Sequence, residues 1–346
     1  MTNDNMNPVK TKPDFFEQFF QLTKRHLLVF FKNKLRVFFT LMVPFIIFLI
    51  YALFLRDLEL STVSGILDDL ATKQGNAEIK ELASDEKFMH MMRTLVDSWM
   101  LSGILAITTV TVSLQCNIMI VNDREQGVNR DFASSPVSRN VLICSYFAFN
   151  FLVTVLICLI FLIVCLIVLG GLMEFFLTFV DFLQIVGVLL YASVVAVLFT
   201  TFICSFVKRD STMASINTIL CTVIGFLIGA FMPLAMLPTA IQYVCTFIPG
   251  TFSCSLLRFS FMSTPLSMLT DYVTNTAQLS QSGELISELM LNFGYNVSFF
   301  GIDLAPWAQA IGQLIIIIIF FVLNILSGKK VVKVLGSVGK KFKKKK

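Results

Sequence analysis

A reactive site needs a nucleophile, a base, a metal cluster or an ionisable relay, and this chain offers few of them in useful places. Its 346 residues hold two histidines and eight cysteines. His26 and His90 are widely separated and no CxxC occurs, so the ligand spacing of a metal centre is missing. His90 reads as a surface residue. Cys116, Cys144, Cys158, Cys165, Cys204 and Cys221 lie inside long apolar runs, where a free thiol behaves as a small hydrophobe. Cys245 and Cys254 are the one pair that could face an oxidising compartment, and the sequence does not decide whether they bridge. The nearest look-alike to a phosphate loop is GSVGKK at 336–341. It lacks the Gly-to-Gly spacing and the hydroxyl after the lysine that a nucleotide site needs. What remains is the chemistry of small hydroxyls, glycines, prolines and a few loop charges.

The elements that must position those groups are membrane helices. Apolar residues make up 56% of the chain and charged ones 14%, with mean hydropathy +0.81, against about 25% charged in a soluble domain. A soluble core of this size could not hide so much apolar surface. Six stretches approach the roughly 20 residues that a bilayer crossing needs: 37–55, with Pro44 as an expected kink, 98–121, 141–169, 182–207, 211–232 and 307–327. None contains Asp, Glu, Lys, Arg or His. Ion-driven carriers use such groups as relays, so an energy source on another protein is expected. The polar opening MTNDNMNPVKTKPD is not that of a secretory signal.

Before the first span, residues 14–35 place Phe16, Phe19, Phe20, Leu27, Phe30 and Phe31 near one face and Glu17, Gln21, Lys24, Arg25 and Lys32 mostly on the other. With Pro13 suited to a helix start, this predicts an amphipathic helix lying on the membrane; extension of the first span, or packing on other helices, are the alternatives. The segments 1–36, 122–140, 208–210 and 328–346 together hold 21 Lys/Arg and 7 acids, whereas 56–97, 170–181 and 233–306 hold 6 and 15. The positive-inside rule then puts both termini in the cytoplasm. The chain divides into an N-terminal segment 1–36, a transmembrane domain 37–327 and a polybasic tail 328–346. That tail is suited to anionic lipid; with one aromatic residue, Phe342, and no folded motif it gives no support to nucleic-acid binding.

Outside the membrane, 56–97 is too long for a turn. Phe88, Met92, Leu95 and Trp99 recur at helical spacing after Ser84, an expected N-cap. After the fifth span, Pro233, Pro238, Pro249 and Gly250 break 230–258 into pieces too short to cross, which predicts a re-entrant cap within an outer region 233–306. On the other side lies the one long loop between spans, 122–139. Asn122 or Asp123 is placed to N-cap a short helix, Gly127 permits a bend, and Ser135-Pro136 suits the start of the third span. Spacing alone fits either a capped surface connection or a short rigid helix that docks on another protein. Ser211, Ser215, Thr218, Thr222, Gly225 and Gly229 form a small, weakly polar stripe on the fifth span, and Thr108, Thr111 and Gln115 lie on a comparable face of the second. Such stripes suit close helix packing within one subunit, a dimer interface or the wall of a path.

The loop REQGVNRDFASSPVSR resembles the segment between the second and third spans of type-2 ABC transporter permeases, through Glu125, Gly127, Ser135, Pro136 and Arg139. The family has a further acid shortly after the glycine; here Arg130 and Asp131 stand there. Residues 226–258 resemble the run that follows the fifth span, through Gly229, Pro233, Leu237, Pro238, Pro249 and Arg258. The resemblance implies an all-α membrane fold of six transmembrane helices, with an N-terminal amphipathic connecting helix and re-entrant helices after span 5. It implies the permease subunit of a bacterial exporter in the plasma membrane, not itself an enzyme. Arg124, Glu125, Gly127, Arg130, Asp131, Ser135, Pro136 and Arg139 would couple to a partner ATPase. Pro233, Pro238, Pro249 and Arg258 would form an outer gate. Spans 2 and 5 would face the path, with Thr108, Thr111, Gln115, Ser215, Thr218, Thr222, Gly225 and Gly229. The chain itself would bind no cofactor: ATP and Mg would sit on the ATPase subunits, and a second permease copy, identical or related, would complete the complex. A wall without charge suits a lipophilic or amphipathic drug, antibiotic or peptide. Export of lipid-linked glycan, an ATP-independent channel and a membrane scaffold are the alternatives.

Overall fold

A computed structural model of the chain describes residues 14–343 apart from 75–78, 80–81, 83, 129–131, 133, 135–136, 173–176, 277–281, 296 and 300–301. Helix α1 (Phe15–Lys32) is followed by α2 (Lys34–Ile50), a π turn (Tyr51–Leu55) and α3 (Arg56–Gln74). Then come α4 (Glu86–Glu125), α5 (Arg139–Leu172), α6 (Phe179–Phe206), α7 (Asp210–Leu227), α8 (Thr239–Thr246), α9 (Pro249–Asp271) and α10 (Ser282–Asn292). A two-residue-linked antiparallel hairpin pairs Val297–Phe299 with Ile302–Leu304, and α11 (Pro306–Lys343) closes the described chain. Six helices are long and apolar enough to cross a membrane, so the chain is an all-α, multi-pass membrane protein.

Several elements run beyond their expected limits. The first spanning helix continues from Lys34 to Thr72, through Pro44 and past residue 55, so the expected outer loop begins as helix. Nothing between Arg56 and Gly65 breaks a helix, and Asp57 and Glu59 are compatible with one. The second span is the middle of a 40-residue helix. Its N-cap is Asp85, which accepts from the Lys87 N–H at 3.0 Å, and not Ser84. Asn122 and Asp123 lie in its last turn and start no new helix. The fifth span stops early, at Leu227, for a reason given below.

Helix α4 sits at the centre, packed on α5, α6, α7 and α9, and 83% of its spanning window is buried. The broken region expected after the fifth span is present as α8 and α9, bent by 92° at the break between them, the geometry of a broken span or of a re-entrant loop. Its second half is longer than the prolines suggested: α9 has 23 residues and is buried along most of its length. Its start lies beside Val110, because a Cβ on Gly250 would come within 3.8 Å of that side chain. From there α9 runs back beside α4 to the far end, where Tyr272 hydrogen-bonds Asp85. Cys245 and Cys254 are free thiols.

Buried polar groups fix the helices against one another, as they must where water is absent. Thr200 bonds Ser113 at 2.6 Å and receives the Asn117 amide at 2.8 Å, while Asn150 donates to the Ser113 carbonyl at 3.2 Å. This joins α4, α5 and α6. At the end away from α1, the Arg56 guanidinium grips Asp97 through two bonds of 2.9 Å, and Tyr51 donates to the same carboxylate at 2.8 Å. Removing one partner of a buried pair strands the other charge, at a cost of about 3–5 kcal/mol. Asp97→Ala is therefore expected to lower the thermal midpoint by several degrees. An unchanged melt of the purified chain would show that the pair contributes nothing.

Candidate functional site

Three consecutive residues at the end of α4 reach four neighbouring helices. Asp123 accepts from the Tyr146 hydroxyl at 2.6 Å and from Arg25 at 3.4 Å, holding α5 and α1. Arg124 donates to the carbonyls of Val207 at 2.6 Å and Cys204 at 3.2 Å, which closes the end of α6. Glu125 accepts from the backbone N–H of Asp210 at 2.6 Å, which caps the start of α7. The Arg124 and Glu125 contacts satisfy terminal backbone groups left open by helix geometry and set charge favourably against the dipoles of α6 and α7. Helix α4 then ends at Gly127, whose φ of +79° lies in the left-handed region where a side chain is strained.

Of the other loop residues expected at this site, Arg130, Asp131, Ser135 and Pro136 lie outside the described residues. Arg139 is exposed at the first position of α5. Phe132 lies 5.2 Å beneath the Arg25 guanidinium, so the loop rests against α1. A shallow groove of about 220 Å³ runs between α1 and Val137, lined by Glu17, Gln18, Gln21 and Leu22.

Helix α1 docks by a face that the aromatic pattern marked only in part, through Phe30. Leu22, Thr23, His26 and Phe30 are buried, whereas Phe16, Phe20 and Phe31 stay exposed. Phe30 meets Phe149 edge-on, and His26 stacks on Tyr146 with centroids 4.1 Å apart. Arg25 lies 3.3 Å from Nδ1 of His26, and Ser145 Oγ lies 3.3 Å from Nε2. Arg25 has only protons to offer, and the Ser145 hydroxyl is already donated to Leu142 O. The arrangement fits a neutral ring with its proton on Nε2. Burial, helped by the Arg25 charge and opposed by Asp123, lowers the His26 pKa to about 4.

Docking therefore weakens with acid. Below pH 6.5 an undocked His26 takes up a proton that the docked ring refuses, and the deficit grows until about pH 4. The full shift corresponds to roughly 3 kcal/mol. The thermal midpoint is expected to fall between pH 6.5 and 4, and the fall should be smaller in His26→Gln. Equal slopes in the two proteins would contradict this assignment.

At the opposite end, α7 closes in a Schellman motif: Ala230 N–H bonds Gly225 O at 2.8 Å and Gly229 N–H bonds Phe226 O at 3.1 Å. Gly229 has φ +72°, which ends the fifth span there. Arg258, 3% exposed on α9, donates to the carbonyls of Gly229, Ala230 (3.4 Å) and Gly294 (3.5 Å), and its guanidinium lies 5.3 Å over the Trp99 ring. A Cβ on Gly103 would stand 2.6 Å from Ala230 O, so α4 and this turn touch backbone to backbone. Of the gate prolines, Pro233 and Pro249 are buried and Pro238 is exposed. The sequence marked Arg258 but not the rings and carbonyls it joins.

The two small-residue stripes do not form one face. Thr108 and Thr111 are buried within the subunit and donate to carbonyls of their own helix, at 2.7 and 3.3 Å. Gln115 is half-buried. Ser211, Ser215, Thr218 and Thr222 are exposed on α7, with the hydroxyls of the last three spent on i−4 carbonyls. Gly225 and Gly229 are covered by Phe231 and Leu234. Equal spacing thus yields one inward and one outward stripe.

No curated protein matches the chain. The family described as ABC-2 type transporter matches residues 17–262, which run from α1 through α8 and into α9. That match takes in both ends of α4, the Schellman turn and Arg258, and on it the chain belongs to the ABC-2 type transporter family, as a membrane transport component.

Proposed function

We propose that the chain is the permease subunit of an ATP-driven exporter in a bacterial plasma membrane. ATP and Mg are bound and used by a separate ATPase that docks on the basic side, where both termini lie. The single observation that carries this reading is the hub at the end of α4. A push on the loop 128–138 is delivered at once to α1, α5, α6 and α7 through Asp123, Arg124 and Glu125. The groove beside Val137 gives the ATPase a surface to grip.

The cargo is lipophilic or amphipathic, in keeping with spans that present hydroxyls and apolar side chains. A second copy, identical or related, packs along the exposed stripe of α7, where spent hydroxyls leave a small, smooth surface. The aromatic face of α1 and the polybasic tail rest on lipid. Coexpression with an ABC ATPase from the same organism tests the proposal. The two proteins should copurify, and vesicles holding both should concentrate a membrane-active antibiotic only with Mg-ATP. Uptake without ATP, or no copurifying ATPase, would leave a passive channel as the better description.

A further inference from the structure

At the end of the bundle away from α1, a cavity of about 200 Å³ opens between α3, α4, the turn after α7 and α10. Three aromatic side chains from separate elements line it: Trp99, Phe231 and Phe293. Met232 and Met236 add polarisable sulfur, and the one ionisable lining group is Glu59. Trp99 and Phe293 meet edge-on with centroids 5.8 Å apart. Trp99 is 2% exposed, yet its indole N–H has no acceptor among the described residues.

The charges around the cavity are unevenly spent. Arg56, one turn before Glu59, is held by both oxygens of Asp97. Arg258 is turned to three backbone carbonyls and covers one face of Trp99 from outside the lining. Glu59 forms no ion pair among the described residues. Aromatic rings attract a cation through their quadrupoles and ask for no hydrogen bond. A carboxylate beside them supplies the counter-charge. A neutral guest would bury Glu59 further without compensation, and an anion would meet it directly. Thioether sulfur fits the methyl groups of an ammonium head.

We infer that this cavity is a binding site for a small alkylammonium group, caged by Trp99, Phe231 and Phe293 and neutralised by Glu59. The site lies at the far end from the coupling hub and needs neither ATP nor a partner, so it goes beyond the permease reading and stands or falls separately from it.

The test uses the purified full chain carrying Trp307→Phe, which leaves Trp99 as the only tryptophan of the two. Choline is titrated against Trp99 fluorescence, beside its uncharged isostere 3,3-dimethylbutan-1-ol. Choline should give a saturable change at least tenfold tighter than the isostere, and Glu59→Gln should weaken it at least tenfold. Phe293→Leu, which keeps a side chain of similar volume, should weaken choline at least threefold. Thermal midpoints of each variant show that the fold is retained. In nanodiscs, weaker choline binding in phosphatidylcholine than in phosphatidylglycerol would identify a lipid headgroup as the occupant. Equal binding in both would identify a free cation; either result supports the cage. Equal affinity for choline and its isostere, no effect of Glu59→Gln, or no saturable change at all would overturn it.

Discussion

Arg258→Leu is expected to destabilise the chain by about 3–5 kcal/mol, lowering its thermal midpoint by roughly 6–10 °C. Arg258 forms no ion pair among the described residues. Its charge is met by the carbonyls of Gly229 and Ala230, at the negative end of α7, by Gly294, and by the face of Trp99. Leucine fills much of the volume but leaves those carbonyls buried without a donor, each costing about 1–3 kcal/mol. Lysine keeps the charge but lacks the planar fork that reaches several acceptors at once, so Arg258→Lys should recover only part of the loss. Both variants should also lose transport in vesicles, because the turn that closes the end of α7 is no longer fixed to α9. A melt of Arg258→Leu within a degree of the parent would remove the clasp from consideration.

The second large effect concerns the hub. The double variant Arg124→Ala, Glu125→Ala should reduce ATP-driven transport by about tenfold, within the range of coupling free energies between sites. The chain should still assemble with the proposed ATPase. Glu125 is exposed and Arg124 half-buried, so their loss should cost no more than a helix cap, about 1 kcal/mol. Glu125→Gln is the informative companion. It keeps an oxygen for the Asp210 N–H and should retain most of the transport. If the double variant transports within twofold of the parent while assembly is intact, the loop passes its motion by another route.

Much of this architecture is written in the order of residue types. Long runs without charge specify spans, and three prolines with a glycine specify the break around α8. Other features depend on partners far along the chain. Arg56 and Asp97 are 41 residues apart, and Arg124 reaches a carbonyl 83 residues away. No local pattern announces either contact. Periodicity has a further blind spot, visible in the two stripes. Spacing tells which residues share a face, but Thr108 is buried and Thr218 is exposed among the described residues. The same applies to α1, where of the residues in the apolar pattern Phe30 is buried but Phe16 and Phe20 are exposed, while His26, a polar residue, became a buried contact. Its signal was weak: a lone histidine beside an arginine, with nothing in the sequence to show that Tyr146 would stack on it.

Helix α4 has 40 residues and so is about 60 Å long. It meets the backbone of Ala230 closely at Gly103, which leaves arms of about 25 Å and 33 Å to its two ends. A stiff rod resting on such a fulcrum is a lever. If its Glu125 end swings by about 3 Å, its Glu86 end swings by about 2 Å in the opposite sense. Closure at one mouth of the bundle and opening at the other would then be a single movement seen from two sides.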